Sequence, residues 1–327
     1  MLQIDVSELS KNYKHIEKKE GFVGSINSLF NRKFKVITAL NNVSFSIQQG
    51  ELVGYIGPNG AGKSTTIKIM SGILVPDSGS CKIGDYIPWK DRKKYVSEIG
   101  VVFGQRTQLW WDIPVQESFS LLKDIYKIPV ETYKKMKTEV IERLDIGSVL
   151  KLPVRQLSLG LKMRCELAAS LLHNPKILFL DEPTIGLDAI SKLAVRDFIK
   201  EINQEYKATV VLTTHDMDDI EALCNRVIII GKGKILFDGD MSNLRRLVGK
   251  ERRLKLDIKG SYFDKSLGNT EIIRVDGNRI IYSFNPEDIS ASELIKQAST
   301  KFEIADVFVE NASIEEIISD LYEVLQL

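Results

Sequence analysis

Residues 57–65 read Gly-Pro-Asn-Gly-Ala-Gly-Lys-Ser-Thr, and this stretch decides the fold. Two glycines frame four residues and are followed by Lys63 and Ser64, which is the pattern of a phosphate-binding loop. The apolar run Leu52–Ile56 in front of it predicts a buried strand, and the residues behind it predict a helix that ends near Gly72. The alternative interpretation, a glycine-rich turn before a core helix, is disfavoured because strand, loop and helix follow each other in the order that a phosphate site needs.

The chemistry of this loop follows from its residue types. Glycines let successive backbone N–H groups point inward and form a nest for anionic oxygens, and the N-terminus of the following helix adds partial positive charge. We expect Lys63 to reach the β- and γ-phosphates of a nucleotide and the hydroxyl of Ser64 to hold Mg²⁺. The residues expected to contact the nucleotide here are Gly57, Pro58, Asn59, Gly60, Ala61, Gly62, Lys63, Ser64 and Thr65.

Composition limits the possible classes of protein. A chain of 327 residues with 43% hydrophobic residues is long enough for one large domain and a smaller one. The net charge of +1 gives no reason to expect nucleic acid as a partner. The three cysteines form no CxxC pair, which favours a reducing, cytosolic setting over a disulfide framework or a zinc site. No secretory signal and no run long enough to span a membrane is visible, so we expect any membrane role to depend on a partner.

Hydrophobic periodicity divides the chain into two parts. In the first part it predicts strands at Gln3–Leu9 and Ala39–Ile47, and helical structure from about 115 to 152. The segment 15–35 is interpreted either as a solvated basic excursion or as a short amphipathic helix that contacts lipid. From Arg252 onward, alternating strands and two capping boxes, Ser290 with Glu293 and Ser313 with Glu316, predict a small α+β domain over 250–327. It carries no catalytic cluster, and we expect a role in packing or regulation.

Polar residues follow three apolar strands at the point where each strand ends. They are Gln105, the pair Asp181 and Glu182, and His215. Open parallel sheets bind ligands at the carboxyl ends of their strands. Asp181 therefore suits Mg²⁺ binding, and Glu182 suits the general base that activates water. The alternatives are two ordinary surface acids and a buried structural histidine.

Several motifs accompany the phosphate loop in a fixed order, and together they resemble an ABC-type ATPase over about Leu2 to Gly239. They are Gly57–Thr65, Gln105, Leu157–Leu161, Leu178–Pro183, Gly186–Asp188 and His215. The resemblance implies an α/β fold: a P-loop NTPase core with a mostly parallel sheet, an antiparallel β subdomain and a helical subdomain at about 106–172. The ATPase domain would then span 1–240, followed by the C-terminal α+β accessory domain.

The resemblance also implies that two copies stack head to tail and trap two ATP molecules. Tyr13 matches the aromatic residue that stacks on adenine. Gln105 matches a residue that contacts Mg²⁺ and links the site to the helical subdomain. Together with Ser64 and Asp181, Gln105 makes up the expected metal site.

The remaining matches concern the second copy and the reaction. Ser158 and Gly160 match the signature segment, which meets the γ-phosphate of the ATP held by the other copy. Asp188 matches a loop that crosses the dimer interface, and His215 matches the switch histidine. Glu182, His215 and Gln105 are thus the expected catalytic residues.

The signature departs from the usual Leu-Ser-Gly-Gly-Gln at two positions. Leu159 replaces the first glycine and Leu161 replaces the glutamine. Ser158, Gly160 and the helix dipole are kept, so we expect anion binding to survive. The polar contact of the fifth residue is lost, and we expect an active but slow ATPase.

Two adjacent tryptophans, Trp110 and Trp111, follow Gln105 in a segment that we interpret either as an anchor for a partner helix or as part of the helical core. The resemblance extends to the ATPase subunits of ABC-2-type exporters. It implies ATP and Mg²⁺ as ligands. The implied partners are separate integral-membrane permease subunits and a second ATPase subunit, with which the chain is expected to form a homodimer. The implied location is the cytoplasmic face of the membrane. The alternatives are a soluble ABC ATPase of translation or DNA maintenance, and a kinase or GTPase on the same core.

Overall fold

The computed structural model describes residues 2–16, 34–104, 106–248, 252–260 and 266–311. The chain divides into two compact units, residues 1–239 and 240–327. Predicted features outside the described residues are Gln105, the capping box of Ser313 and Glu316, and most of the segment 15–35. Within the described ranges, no helix has both the length and the apolar character of a membrane span.

The first unit is built on a six-stranded sheet in the order β5-β6-β7-β3-β8-β9. The strands are β3 (Leu52–Ile56), β5 (Ile99–Phe103), β6 (Ile177–Asp181), β7 (Thr209–Thr213), β8 (Arg226–Gly231) and β9 (Lys234–Asp240). Strands β5, β6, β7, β3 and β8 run parallel, each to its neighbour. Their carboxyl ends therefore lie along one edge of the sheet, which positions the loops that follow them.

An antiparallel sheet in the order β2-β1-β4 covers this core on one side. It comprises β1 (Leu2–Ile16), β2 (Phe34–Gln48) and β4 (Ser78–Ile83). Fully buried side chains of both sheets and of helix α1 (Lys63–Met70), among them Ile4, Tyr55 and Phe179, form one hydrophobic core. The segment Gly57–Thr65 is thus anchored at both of its ends in packed structure.

The helical part of the first unit lies between β5 and β6. It contains α3 (Val115–Ile125), α4 (Val130–Arg143), two short 3-10 turns and α5 (Leu159–Leu171), and a one-turn helix α2 (Arg92–Tyr95) precedes β5. The predicted helical stretch 115–152 is therefore interrupted: Lys127 adopts a left-handed backbone and Pro129 caps α4. Two further helices are α6 (Ala189–Tyr206) and α7 (Met217–Leu223).

The second unit has its own core. It begins with α8 (Met241–Val248) and contains a four-stranded antiparallel sheet with helix α9 (Ala291–Lys301). The strands are β10 (Arg252–Ile258), β11 (Glu271–Asp276), β12 (Arg279–Phe284) and β13 (Ile304–Asn311). Ser290 caps α9 by accepting a hydrogen bond from the N–H of Glu293 at 3.2 Å. The predicted fold class, a mostly parallel core with antiparallel, helical and C-terminal α+β parts, is confirmed.

Because the two units have separate cores, damage to the second should leave the first folded. Leu256 is fully buried in the second core, and Leu256→Ala is expected to cost about 2–5 kcal/mol of local stability. Hydrogen exchange in denaturant should show early loss of amide protection in β10 and β12, while α1 stays protected. The control is Ile273→Ala, because Ile273 is 46% exposed. Equal loss of protection in both units would contradict this prediction.

Candidate functional site

The phosphate loop runs from the end of β3 to the start of α1 and is held by its neighbours. Gly62, just before α1, has a φ of 115°, and a Cβ there would lie 2.6 Å from the carbonyl oxygen of Ala39. A Cβ on Gly57 would lie 2.2 Å from the carbonyl oxygen of Ile230. Both distances are too short for any side chain, so the approach of β2 and β8 explains why these two positions are glycine.

Lys63 directs its ammonium group into this loop. Its side chain is buried, and Nζ donates hydrogen bonds to the carbonyl oxygens of Gly57 at 2.6 Å and Pro58 at 3.2 Å. Burial lowers the pKa of Lys63, while the carboxylates of Glu182 and Asp181 oppose this by favouring the charged form. The first N–H groups of α1 also lack partners within the helix. A buried cation beside free N–H donors fits the phosphate groups of a nucleotide.

Asp181 ends β6 next to the phosphate loop. Its Oδ1 accepts hydrogen bonds from Ser64 Oγ at 3.4 Å and from Thr213 Oγ1 at 2.5 Å. Hydroxyl and carboxylate oxygens are the ligand types that Mg²⁺ prefers, so this pair fits the predicted metal site. Thr213 is not among the predicted residues. Its position at the end of β7, beside β6, was the signal that could have revealed it.

Glu182 follows with an unusual backbone conformation. Its φ is +56°, a left-handed value that is costly for a side chain of this kind. Its N–H donates to the carbonyl oxygen of Thr213 at 2.9 Å, and a Cβ on Gly104 would lie 2.2 Å from the Glu182 carbonyl oxygen. Nδ1 of His215 lies 3.5 Å from Oε1 of Glu182. The structure therefore brings the predicted base and the predicted switch histidine together.

Two cavities meet at these residues, and Asn59 and Glu182 line both. The first, of about 360 Å³, is lined by Asn59, Ser64, Lys68, Ile73, Phe103, Gly104, Arg106, Asp181 and Glu182. The second, of about 560 Å³, is lined by Gly57, Pro58, Asn59, Glu182, Ile185 and His215. Glu182 thus borders two cavities, and both of them adjoin the phosphate loop at Asn59.

Tyr13 lies at the far end of the phosphate loop. Its hydroxyl is 3.4 Å from Thr65 Oγ1, and its side chain is 39% exposed. An exposed ring beside the start of α1 is available for stacking on a base. The long segment that follows Tyr13 in the sequence does not move Tyr13 away from the phosphate loop, because Tyr13 still lies in β1, where it pairs with Ile37 of β2.

The predicted signature residues lie elsewhere. Ser158 caps α5 by accepting a hydrogen bond from the N–H of Leu161 at 3.3 Å, and Asp188 caps α6 by accepting from the N–H of Ser191 at 2.9 Å. A Cβ on Gly160 would lie 2.3 Å from Ser191 Oγ, which explains why this signature glycine is kept. Among the described residues that line the two cavities, none belongs to the signature segment or to the Asp188 loop.

A buried carboxylate, Asp219, lies close to the segments that adjoin the predicted catalytic residues Glu182 and His215. It accepts hydrogen bonds from Thr184 Oγ1, from Thr214 Oγ1 at 3.2 Å and from Arg196 Nε at 2.5 Å. These donors come from the loop after Glu182, the residue before His215 and helix α6. Sequence reasoning missed this network, because the amphipathic period of α7 gives no sign that Asp219 faces inward.

Comparison with known proteins agrees with the geometry. The family model "ABC transporter" matches residues 40–185. The linearmycin resistance ATP-binding protein LnrL of Bacillus subtilis is 34% identical over 68% of this chain and 71% of its own length. The ABC transporter ATP-binding protein NatA of the same organism is 31% identical over 66% of this chain and 87% of its own length.

The solved structures agree as well. The dimeric ATP-binding cassette MJ0796 bound to ADP and Pi superposes with a TM-score of 0.60 at 26% identity, over 73% of this chain and 98% of that one. The region that the family model matches includes the phosphate loop and the Asp181–Glu182 pair. The chain belongs to the ATP-binding subunits of ABC transporters and is an ATPase of that family.

Proposed function

We propose that this chain hydrolyses Mg²⁺-bound ATP between two copies of itself and thereby drives a separate membrane permease, in the direction of export. The observation that carries this proposal is the convergence of Lys63, Asp181, Glu182 and His215 at one edge of the parallel sheet. Each of the four has a different role toward the γ-phosphate.

In the proposed reaction, a water molecule attacks the γ-phosphorus while Glu182 accepts its proton. The bond between the γ-phosphorus and the bridging oxygen breaks, and ADP and inorganic phosphate leave. Lys63 holds the β- and γ-phosphate oxygens, and His215 contacts the γ-phosphate from the Glu182 side. The left-handed backbone of Glu182 and its N–H bond to Thr213 fix the direction of the carboxylate before ATP arrives.

Charge balance supports Mg²⁺ at this site. Two carboxylates and the phosphates of ATP would outnumber the cations of Lys63, Lys68 and Arg106, and of these three only Lys63 is buried. Like charges repel strongly where water is scarce. A divalent cation bound by Ser64 and Asp181 offsets this excess, and when bound it would neutralise charge on the β- and γ-oxygens. The hydroxyl of Thr213 orients the Asp181 carboxylate for that role.

The position of the signature segment supports a head-to-tail dimer. Ser158 presents the N-terminus of α5, a suitable anion site, yet the described residues around the phosphate loop do not include it. A second copy would bring its own Ser158 to the γ-phosphate. MJ0796, to which this chain is similar, was solved as a dimer, and this supports a dimer here as well.

The tryptophan segment supports a protein partner. Trp110 is 40% exposed and Trp111 is 51% exposed, so neither is packed inside the helical part of the unit. Exposed adjacent aromatic residues are typical anchors for a partner. We assign this surface to the permease, and we propose that the chain lies on the cytoplasmic face of the membrane. The name of LnrL, a resistance protein, supports export.

Replacing the proposed base should separate binding from chemistry. Glu182→Gln keeps the size of the side chain but removes its ability to accept a proton, so ATP turnover is expected to fall by about 10²–10⁴. ATP affinity, measured by equilibrium dialysis, should be retained. The same change at the exposed Glu131, Glu131→Gln, is the control and should leave turnover unchanged. Turnover of Glu182→Gln close to the parent rate would exclude Glu182 as the base.

Truncating the tryptophans should weaken association with the permease. Trp110→Ala combined with Trp111→Ala is expected to reduce the amount of permease that co-purifies from membranes, because hot-spot aromatics contribute about 2 kcal/mol or more. ATP binding should stay at the parent level. Leu121→Ala, at a residue of the same region that is 41% exposed, is the control. Loss of ATP binding with unchanged association would refute the assignment of this surface.

A further inference from the structure

Glu166 is a carboxylate that the proposed reaction does not use. It lies in the middle of α5 and is only 3% exposed. Burying a carboxylate is costly unless it accepts several hydrogen bonds. Burial raises the pKa of Glu166, and hydrogen bonds from Thr107 and from the backbone oppose the rise. The groups that donate hydrogen bonds to Glu166 therefore indicate which part of the structure the buried carboxylate holds in place.

Most of these contacts come from one short segment. Glu166 accepts hydrogen bonds from the hydroxyl of Thr107 and from the N–H of Gln108 at 3.2 Å. The Gln108 side chain donates in return to the carbonyl oxygen of Glu166 at 3.1 Å. Thr107 Oγ1 also accepts from the N–H of Leu109 at 3.1 Å. Residues 107–109, which lead directly into the two tryptophans, are thus fastened to α5.

The tryptophans themselves are held by the same helix and by α3. Nζ of Lys162, one turn before Glu166 on α5, lies 5.0 Å from the centre of the Trp111 ring. The N–H of Trp110 donates to Oγ of the buried Ser118 at 3.2 Å. The segment 107–111, which we call the tryptophan loop, therefore has α5 as its main support.

Ser158 caps the start of α5 and is eight residues before Glu166, or about 12 Å along the helix axis. A helix of this length transmits a displacement along its axis with little bending. A shift of the tryptophan loop would thus reach the end of α5 that contains Ser158, and a shift of Ser158 would reach the loop.

We propose that Glu166 is a positioning residue that couples the tryptophan loop to the Ser158 end of α5. Engagement of Ser158 by ATP in the dimer then changes the surroundings of Trp110 and Trp111. This inference rests on the proposed function, because it requires that ATP brings Ser158 against a second copy. The coupling requires the hydrogen bond that the hydroxyl of Thr107 donates to the Glu166 carboxylate.

The tryptophans provide their own probe. The chain has three tryptophans, and the third, Trp89, packs against the hydrophobic core of the first unit. In a chain with Trp89→Phe and Glu182→Gln, tryptophan fluorescence comes only from the tryptophan loop. Bound ATP is retained in this chain, because Glu182→Gln removes the proposed base. We expect Mg²⁺ and ATP to change this emission in a saturable manner, with dimer formation followed in parallel by size-exclusion chromatography.

Variants in that background test the contact. Glu166→Gln and Thr107→Val should each reduce the ATP-dependent emission change, per dimer formed, by at least about twofold. Thr107→Ser keeps the hydroxyl and should restore it. A merely structural role would lower the melting temperature in Thr107→Val without altering the amplitude.

The outcomes distinguish the coupling role of Glu166 from the proposed function. Parent-like amplitudes in Glu166→Gln and Thr107→Val would overturn the coupling role of Glu166. Dimer formation without any emission change in the parent background would overturn it as well and leave the dimer standing. If ATP produces no dimer in the parent background, the proposed function fails and the inference fails with it.

Discussion

The structure depends on one electrostatic constraint, a buried ammonium group that must be balanced by two carboxylates across the end of a parallel sheet. Burial lowers the pKa of Lys63, and Asp181 and Glu182 counteract this through their negative charge. The balance requires β3 and β6 to end at the same level with β7 between them, which parallel pairing ensures. Backbones approach closely at this edge: a Cβ on Gly57 would lie 2.2 Å from the carbonyl oxygen of Ile230, and a Cβ on Gly104 would lie 2.2 Å from that of Glu182.

A second constraint joins the segments that would face another copy. Gly160 lies so close to Ser191 that a side chain at position 160 would not fit. The N–H and the hydroxyl of Ser191 both donate hydrogen bonds to the Asp188 carboxylate. The signature segment and the Asp188 loop therefore form one packed surface within a single chain. A Cβ at Gly160 would lie 2.3 Å from Ser191 Oγ, whereas Leu159 is 44% exposed and has room for its side chain. A signature with two leucines thus keeps the Ser158 cap at the start of α5, which is the proposed anion site.

Much of the site could be predicted because its residues are close in sequence to strong local patterns. The phosphate loop, Asp181 and His215 each follow an apolar strand whose period is visible, and their roles remain predictions until tested. The limits of β1 could not be predicted, because its pairing with β2 carries the strand to Ile16, well past the expected Leu9. The break between α3 and α4 depends on the left-handed Lys127, which periodicity does not reveal. The contacts Thr184–Asp219 and Thr107–Glu166 join residues that are 35 and 59 positions apart, and only the folded chain brings these together.

The central claim is that each γ-phosphate is held by the phosphate loop of one copy and the Ser158 end of α5 of the other. Mixing a Lys63→Ala chain with a Ser158→Arg chain tests this directly, because each is inactive alone, while the mixed dimer contains one site with both halves intact. Measured ATP turnover in the mixture should recover to a substantial fraction of the parent rate. No recovery, in a mixture shown by differential tagging to contain the mixed dimer, would contradict the account.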